Sequence, residues 1–164
     1  MKKILLSLAL FTAGSCALVN AQVDTKNIGA RISSGIEFSY QHPLTDRNRM
    51  EFDAGLGFLN HTNWFGGDAL YQWVFPLDEL AEGFNWYLGA GGGVALFNSS
   101  YVDVNNDRVN NYGFNFSADV QAGIEYNFTE IPLQLSLDFR PKFWFLSGAD
   151  PAWFGLALGV RYKF

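Results

Sequence analysis

Residues 114 to 128 read FNFSADVQAGIEYNF, and every second side chain is apolar: Phe114, Phe116, Ala118, Val120, Ala122, Ile124, Tyr126 and Phe128. Between them stand Asn115, Ser117, Asp119, Gln121, Gly123, Glu125 and Asn127. A period of two is that of a β-strand, whose successive side chains point to opposite faces of a sheet. The pattern recurs over 28–40, 50–59, 69–75, 86–97, 133–143 and 154–164.

Alternation alone fits a soluble sandwich or a lipocalin-like barrel with its apolar face inward. The sizes of the side chains argue for the reverse. The apolar face is bulky and aromatic in segment after segment, whereas the other face is charged or small, as with Gly89, Gly91 and Gly93. Water-facing strands need no such economy of volume, but a narrow barrel interior does. Segments of about ten alternating residues joined by polar turns are what a closed, membrane-spanning sheet requires, because every backbone group then finds its partner inside the sheet. Aromatics at 17% against charged residues at 16% suit such a chain. The expected fold is all-β, an antiparallel transmembrane β-barrel in the outer membrane.

Seven segments are visible, and bacterial single-chain barrels have an even number of strands. Ser33-Ser34-Gly35 can close a three-residue hairpin with Gly35 in the left-handed conformation. Ile32 then faces Ile36, Arg31 faces Glu37, and Ala30 faces Phe38, which gives eight strands; an unbroken first strand, giving seven, also fits the alternation. Traced back from a last strand that ends on the periplasmic side, the loops 98–111, 61–66 and 147–153 face outward. The turns 42–48, 76–83 and 129–132 face the periplasm.

Lys2 and Lys3, an apolar run from Ile4 to Ala13, and small residues around Ala21 read as a secretory leader cleaved after Ala21. Residues 1–21 are thus the signal peptide and 22–164 the barrel domain. Lipidation at Cys16, the only cysteine, is the alternative. Cleavage leaves nine basic against sixteen acidic residues, a poor composition for binding nucleic acid. It also leaves no disulfide and no Cys-ligated metal.

The inward face collects Arg31, Arg140, Lys142, Arg161 and Lys163 against Glu37, Glu51, Asp53, Asp119, Glu125 and Asp138. Unpaired buried charge is costly, so these groups are expected to pair and fill the lumen. A narrow ion path and carboxylate acid–base chemistry at Glu51 and Asp53 are the competing readings. Neither His42 nor His61 has a serine two residues away, and Ser99 and Ser100 fall in a different loop from His61. Asp103, Asn105 and Asp107 alternate like calcium ligands but lack the glycine and closing glutamate of an EF-hand loop. GAGGGVAL, residues 89–96, lacks the lysine of a phosphate loop. No catalytic, cofactor or metal residue is therefore assigned. Trp64, Tyr101 and Trp153 are the candidates for contact with an extracellular partner of unknown nature. The end of the chain, VRYKF, places Tyr162 and Phe164 on the lipid face, where they suit a signal for the barrel-assembly machinery.

IEFSYQHPLTDRNRMEFDAGLGF, GFNWYLGAGGGV, GIEYNFTEIPLQLSLDFRP and the terminal VRYKF resemble the small outer-membrane β-barrel proteins common in Bacteroidota. In size the chain is also similar to eight-stranded barrels of the OmpA and OmpX type. The resemblance implies a barrel and a compartment and brings no catalytic residues. The expected function is that of a non-enzymatic monomeric barrel in contact with outer-membrane lipid, structural or surface-binding through its outer loops. A narrow channel for small solutes and a lipid-modifying barrel enzyme are the alternatives.

Overall fold

The computed structural model describes residues 23–59, 62–77, 81–102, 108–146 and 155–164. The strands are β1 (Asn27–Ile32), β2 (Ile36–Thr45), β3 (Asn48–Leu59), β4 (Thr62–Pro76), β5 (Phe84–Val102), β6 (Arg108–Asn127), β7 (Leu133–Phe139), β8 (Lys142–Trp144) and β9 (Leu156–Lys163). β1 to β6 each pair antiparallel with the next strand in the chain, β8 pairs with β6, β7 pairs with β9, and β9 returns to pair with β1, closing the sheet on itself.

β7 and β8 are two parts of one strand. Ala122 pairs with Phe139 and Asp119 with Lys142, so the register against β6 runs unbroken across Arg140 and Pro141. Proline has no N–H to give the ladder, but its carbonyl still accepts from Val120 N at 3.3 Å. On the other side Arg140 N donates to Gly155 O at 2.8 Å, which extends the pairing with β9. The barrel is thus eight-stranded, which leaves no free sheet edge in the hydrocarbon of a membrane.

From Lys163 the ladder steps through Asn27, Gln41, Glu51, Leu70, Gly91 and Asp119 to Lys142. Lys142 stands three residues past Phe139, the partner of Leu156, so one circuit climbs ten residues of the final strand. Strand number and stagger together set the diameter, and eight strands leave an interior that side chains fill.

The turn at Ser33-Ser34-Gly35 has the expected register, with Ile32 opposite Ile36 and Arg31 opposite Glu37. Its glycine is there for a different reason than the sequence suggests. Among the described glycines only Gly83 has positive φ, at 90°. A Cβ at Gly35 would collide with the carbonyl oxygen of Leu56 on β3, so the position needs closeness rather than left-handed geometry. Gly35→Asn, which a left-handed site tolerates, is therefore expected to cost as much as Gly35→Ala. Overpacking of this kind costs about 1–3 kcal/mol. Urea unfolding in lipid vesicles checks it; an Asn variant as stable as the parent would contradict the reading.

The loops are shorter than expected. Strand pairing persists from Asn98↔Tyr112 to Val102↔Arg108, and β2 and β3 meet at the two-residue turn Asp46–Arg47. Polar side chains do not stop backbone pairing, so a polar run is a poor marker of a strand end. The expected calcium-like residues 103–107 lie outside the described residues, as do the leader and Cys16.

Large apolar side chains cover the outer wall: Ile32, Ile36, Phe38, Phe65, Leu96, Leu156 and Leu158 are each more than half exposed. Near the chain termini the wall carries rings in contact, Tyr71 with Trp73, Phe75 with Trp86, and Tyr126 with both Phe84 and Phe128. A band of hydrocarbon-facing residues bounded by an aromatic girdle is the outside of an outer-membrane barrel. The end that carries the termini is called the near end below, and the other the far end.

Candidate functional site

The inward side chains of eight strands converge on one buried polar network. Glu51 lies at its centre and is fully buried. Its Oε1 meets Arg140 Nη2 at 2.5 Å and its Oε2 meets Arg161 Nη2 at 3.0 Å, while Gln41 and Gln121 donate at 2.7 and 3.2 Å. Arg140 also faces Asp53 at 2.6 Å. Arg31 lies between Glu37, at 2.5 Å, and Asp138, to which it donates through Nε and Nη2. Tyr87 adds its hydroxyl to Asp138 at 3.3 Å.

Toward the near end Arg49 forms a bidentate pair with Glu125 at 2.6 and 3.1 Å, over the ring of Tyr87. Below it Val23, Val74 and Tyr87 form an apolar stop. Toward the far end Lys142 Nζ holds Asp68 at 2.6 Å and approaches Asp119 at 3.7 Å. Paired in this way the charges offset their desolvation, and the lumen is packed with side chains rather than open.

Arg49, Asp68 and Tyr87 belong to this network and are absent from the sequence reading. Arg49 precedes the alternating run that begins at Met50, and Asp68 precedes the one that begins at Ala69. Extending each run by one residue would have placed them inside. Lys163 stands at the near rim, where its Nζ donates to Phe128 O at 2.6 Å.

Trp64 does not project as an outer-loop contact. It pairs across the ladder with Gly57, on the lumen side, where a Cβ at Gly57 would run into the indole. Phe97, its partner on β5, packs edge-on against Trp144 at 5.2 Å, and Lys142 lies 5.8 Å from the Trp144 ring. These rings cap the charged lumen at the far end. Trp153 lies outside the described residues; Tyr101 pairs through its backbone with Val109. Tyr162 and Phe164 are about half exposed on the outer wall, and Phe164 N donates to Lys26 O at 2.9 Å, tying the end of β9 to the start of β1.

On the outer wall the groups able to do chemistry are few. His42 is the one histidine among the described residues, and its Nδ1 lies 3.1 Å from the hydroxyl of Tyr40 at the near end. Lys26, Arg47 and Lys163 also stand at the near end. The wall does hold an apolar hollow of about 370 Å³, lined by residues that include Trp86, Ala122, Ile124, Leu137, Phe139 and Leu156.

Among solved structures the chain is similar to Neisserial surface protein A (NspA), with 16% identity and a TM-score of 0.53, covering 85% of this chain and 94% of that one. That likeness is one of fold. The structure of the outer membrane enzyme PagL matches with 16% identity and a TM-score of 0.40, over 85% of this chain and 97% of that one. No curated protein sequence matches. The family model "Lipid A 3-O-deacylase (PagL)" matches residues 17–140, three quarters of the chain. This match overturns the expectation of a non-enzymatic barrel. That expectation rested on the missing His-x-Ser spacing, a local test blind to a family pattern spread over seven strands. The chain belongs to the lipid A 3-O-deacylase (PagL) family.

Proposed function

We propose that this protein is an outer-membrane lipid hydrolase that removes an ester-linked acyl chain from lipid A or a similar acylated glycolipid, with its far end facing outward. The observation that carries the reading is the family match over residues 17–140. The architecture supports it: the lumen is filled, so chemistry on a membrane lipid belongs on the wall or at the rim. Ester hydrolysis there needs a nucleophile and a base within reach of each other.

The one histidine of the described residues, His42, bonds Tyr40. The ladder does relate the other candidates. Thr62, which follows His61 in sequence, pairs with Ser99, which precedes Ser100. Strand ends that are far apart in sequence therefore meet in one ladder at the far rim. We assign His61 as the candidate base and Ser99 or Ser100 as the candidate nucleophile.

Lipid A and phospholipids from cells expressing the protein, analysed by mass spectrometry, test this. The expected result is lipid A lighter by one acyl chain, absent from cells with empty vector. His61→Ala is expected to slow its formation by roughly 10²–10⁴-fold, the usual contribution of a general base. Unchanged lipids in cells that carry the folded barrel would refute the hydrolase; full activity of His61→Ala would refute the assignment of the base.

A further inference from the structure

Charged and polar groups interrupt the outer wall at its near end. Lys26 and Phe164 exchange both backbone hydrogen bonds, at 3.2 and 2.9 Å, so the two residues stand directly opposite each other. On the other side Asn27 pairs with Gln41, and Val23 N donates to Asp46 O at 3.0 Å. The chain therefore runs beside β2 from Asn27 back to Val23, and Lys26 falls next to His42. Val23 and Asn27 are buried while Asp24 and Lys26 are exposed, so the two-residue alternation persists and puts both charges on the outer side. One outward row then runs from Phe164 through Lys26 and His42 to Met50, and the row on its hydrocarbon side runs from Tyr162 through Ile28 to Tyr40. Asp24 stands one step to the water side.

Tyr40 decides what His42 can do. Its hydroxyl lies 3.1 Å from Nδ1, and with that nitrogen accepting, the ring hydrogen is on Nε2. Neither Nε2 nor the Lys26 ammonium has a partner among the described residues. We infer that this corner of the wall binds the headgroup of one phosphatidylethanolamine molecule from the leaflet at the near end. Lys26 Nζ and His42 Nε2 are donors within the aromatic girdle, the depth of a lipid phosphate, and a charge-assisted hydrogen bond to phosphate is of the strong kind. Asp24 lies roughly 6–7 Å farther toward water, two strand residues on, where it accepts from the primary ammonium of ethanolamine. A choline headgroup has no N–H to give it, and a glycerol headgroup leaves its charge unmatched. A cation on the membrane side and a carboxylate on the water side thus select a zwitterion with a phosphate and a primary amine. The seat is independent of the hydrolysis proposed above, which belongs to the far rim.

The whole barrel in detergent micelles that hold equal amounts of phosphatidylethanolamine, phosphatidylcholine and phosphatidylglycerol with identical chains, released intact into a mass spectrometer, gives the test. One retained phosphatidylethanolamine is expected, about fivefold in excess of either other lipid, the worth of one charge contact at a membrane surface. Lys26→Met and His42→Phe are each expected to lower its retention about fivefold; Lys26→Gln serves if the Met variant does not fold. Asp24→Asn is expected to bring the three lipids level, while Arg47→Gln, which removes an exposed cation of the β2–β3 turn, leaves the preference intact. Equal retention of the three lipids by the parent, a preference for phosphatidylglycerol, or an undiminished preference in the folded Lys26 and Asp24 variants would overturn the seat. So would an equal loss in Arg47→Gln, which would mean attraction by net charge alone. Soluble phosphoethanolamine bound as tightly as the lipid would reassign the site to a free solute and overturn it as well.

Discussion

Replacing Glu51 by glutamine is expected to destabilise the barrel by about 3–5 kcal/mol, the penalty for breaking a buried ion pair from one side. The substitution keeps the shape of the side chain, removes its charge, and turns one of two accepting oxygens, each of which faces an arginine and a glutamine donor, into an NH2 group that cannot accept. Arg140 retains Asp53 at 2.6 Å, but Arg161 has no other carboxylate in ion-pair range. Its remaining partners are the hydroxyls of Ser39 and Ser136, at 2.9 and 2.8 Å. A fully buried guanidinium would then keep only neutral hydrogen-bond partners.

Glu37→Gln is the internal control. Arg31 keeps Asp138, with which it makes two hydrogen bonds, so the loss is expected to stay below about 2 kcal/mol. Urea titrations in vesicles, followed by tryptophan fluorescence, measure both. Equal losses at the two positions would mean that hydration of the lumen, and not ion pairing, decides the cost.

The alternation of the strands made the barrel legible because a two-residue period separates the faces without knowledge of any partner. The same period separates Arg31, Asp119 and Arg161, which are buried, from Phe38, Val120 and Tyr162, which are exposed. Pairing within the lumen was not legible: Arg31 meets Asp138 across 107 residues, and only the stagger of the closed sheet brings them together. Gly35 looked like a residue chosen for its dihedral angles because the β3 carbonyl that it must clear is not visible from its neighbours in sequence. Trp64 looked like a loop residue because strand pairing beyond His61 depends on β5, not on local propensity. The family was missed because a search for a nucleophile and base at short spacing sees only local chemistry, whereas the family match extends over residues 17–140.

The pair Arg49–Glu125 permits a sharper test of what the lumen charges contribute. Glu125 accepts from Arg49, Asn85 and Asn127, and Arg49 also donates from Nε to Gln72 at 2.5 Å. Glu125→Ala leaves the guanidinium with Gln72 and the Tyr87 ring alone, and is expected to cost about 3–5 kcal/mol. Arg49→Met combined with Glu125→Leu removes both charges and keeps the volume. Asn85 and Asn127 then lose an acceptor, but both are only partly buried, so water replaces it. The double variant is accordingly expected within about 2 kcal/mol of the parent, less damaged than Glu125→Ala alone. A double variant at least as unstable as the single one would show that the charges themselves stabilise the fold. The expected recovery locates their role elsewhere: each buried cation accepts few partners in a closed sheet, so a strand that slips by one residue strands charge in the wall. Charge in the lumen then selects the register, and the apolar wall in lipid supplies the stability.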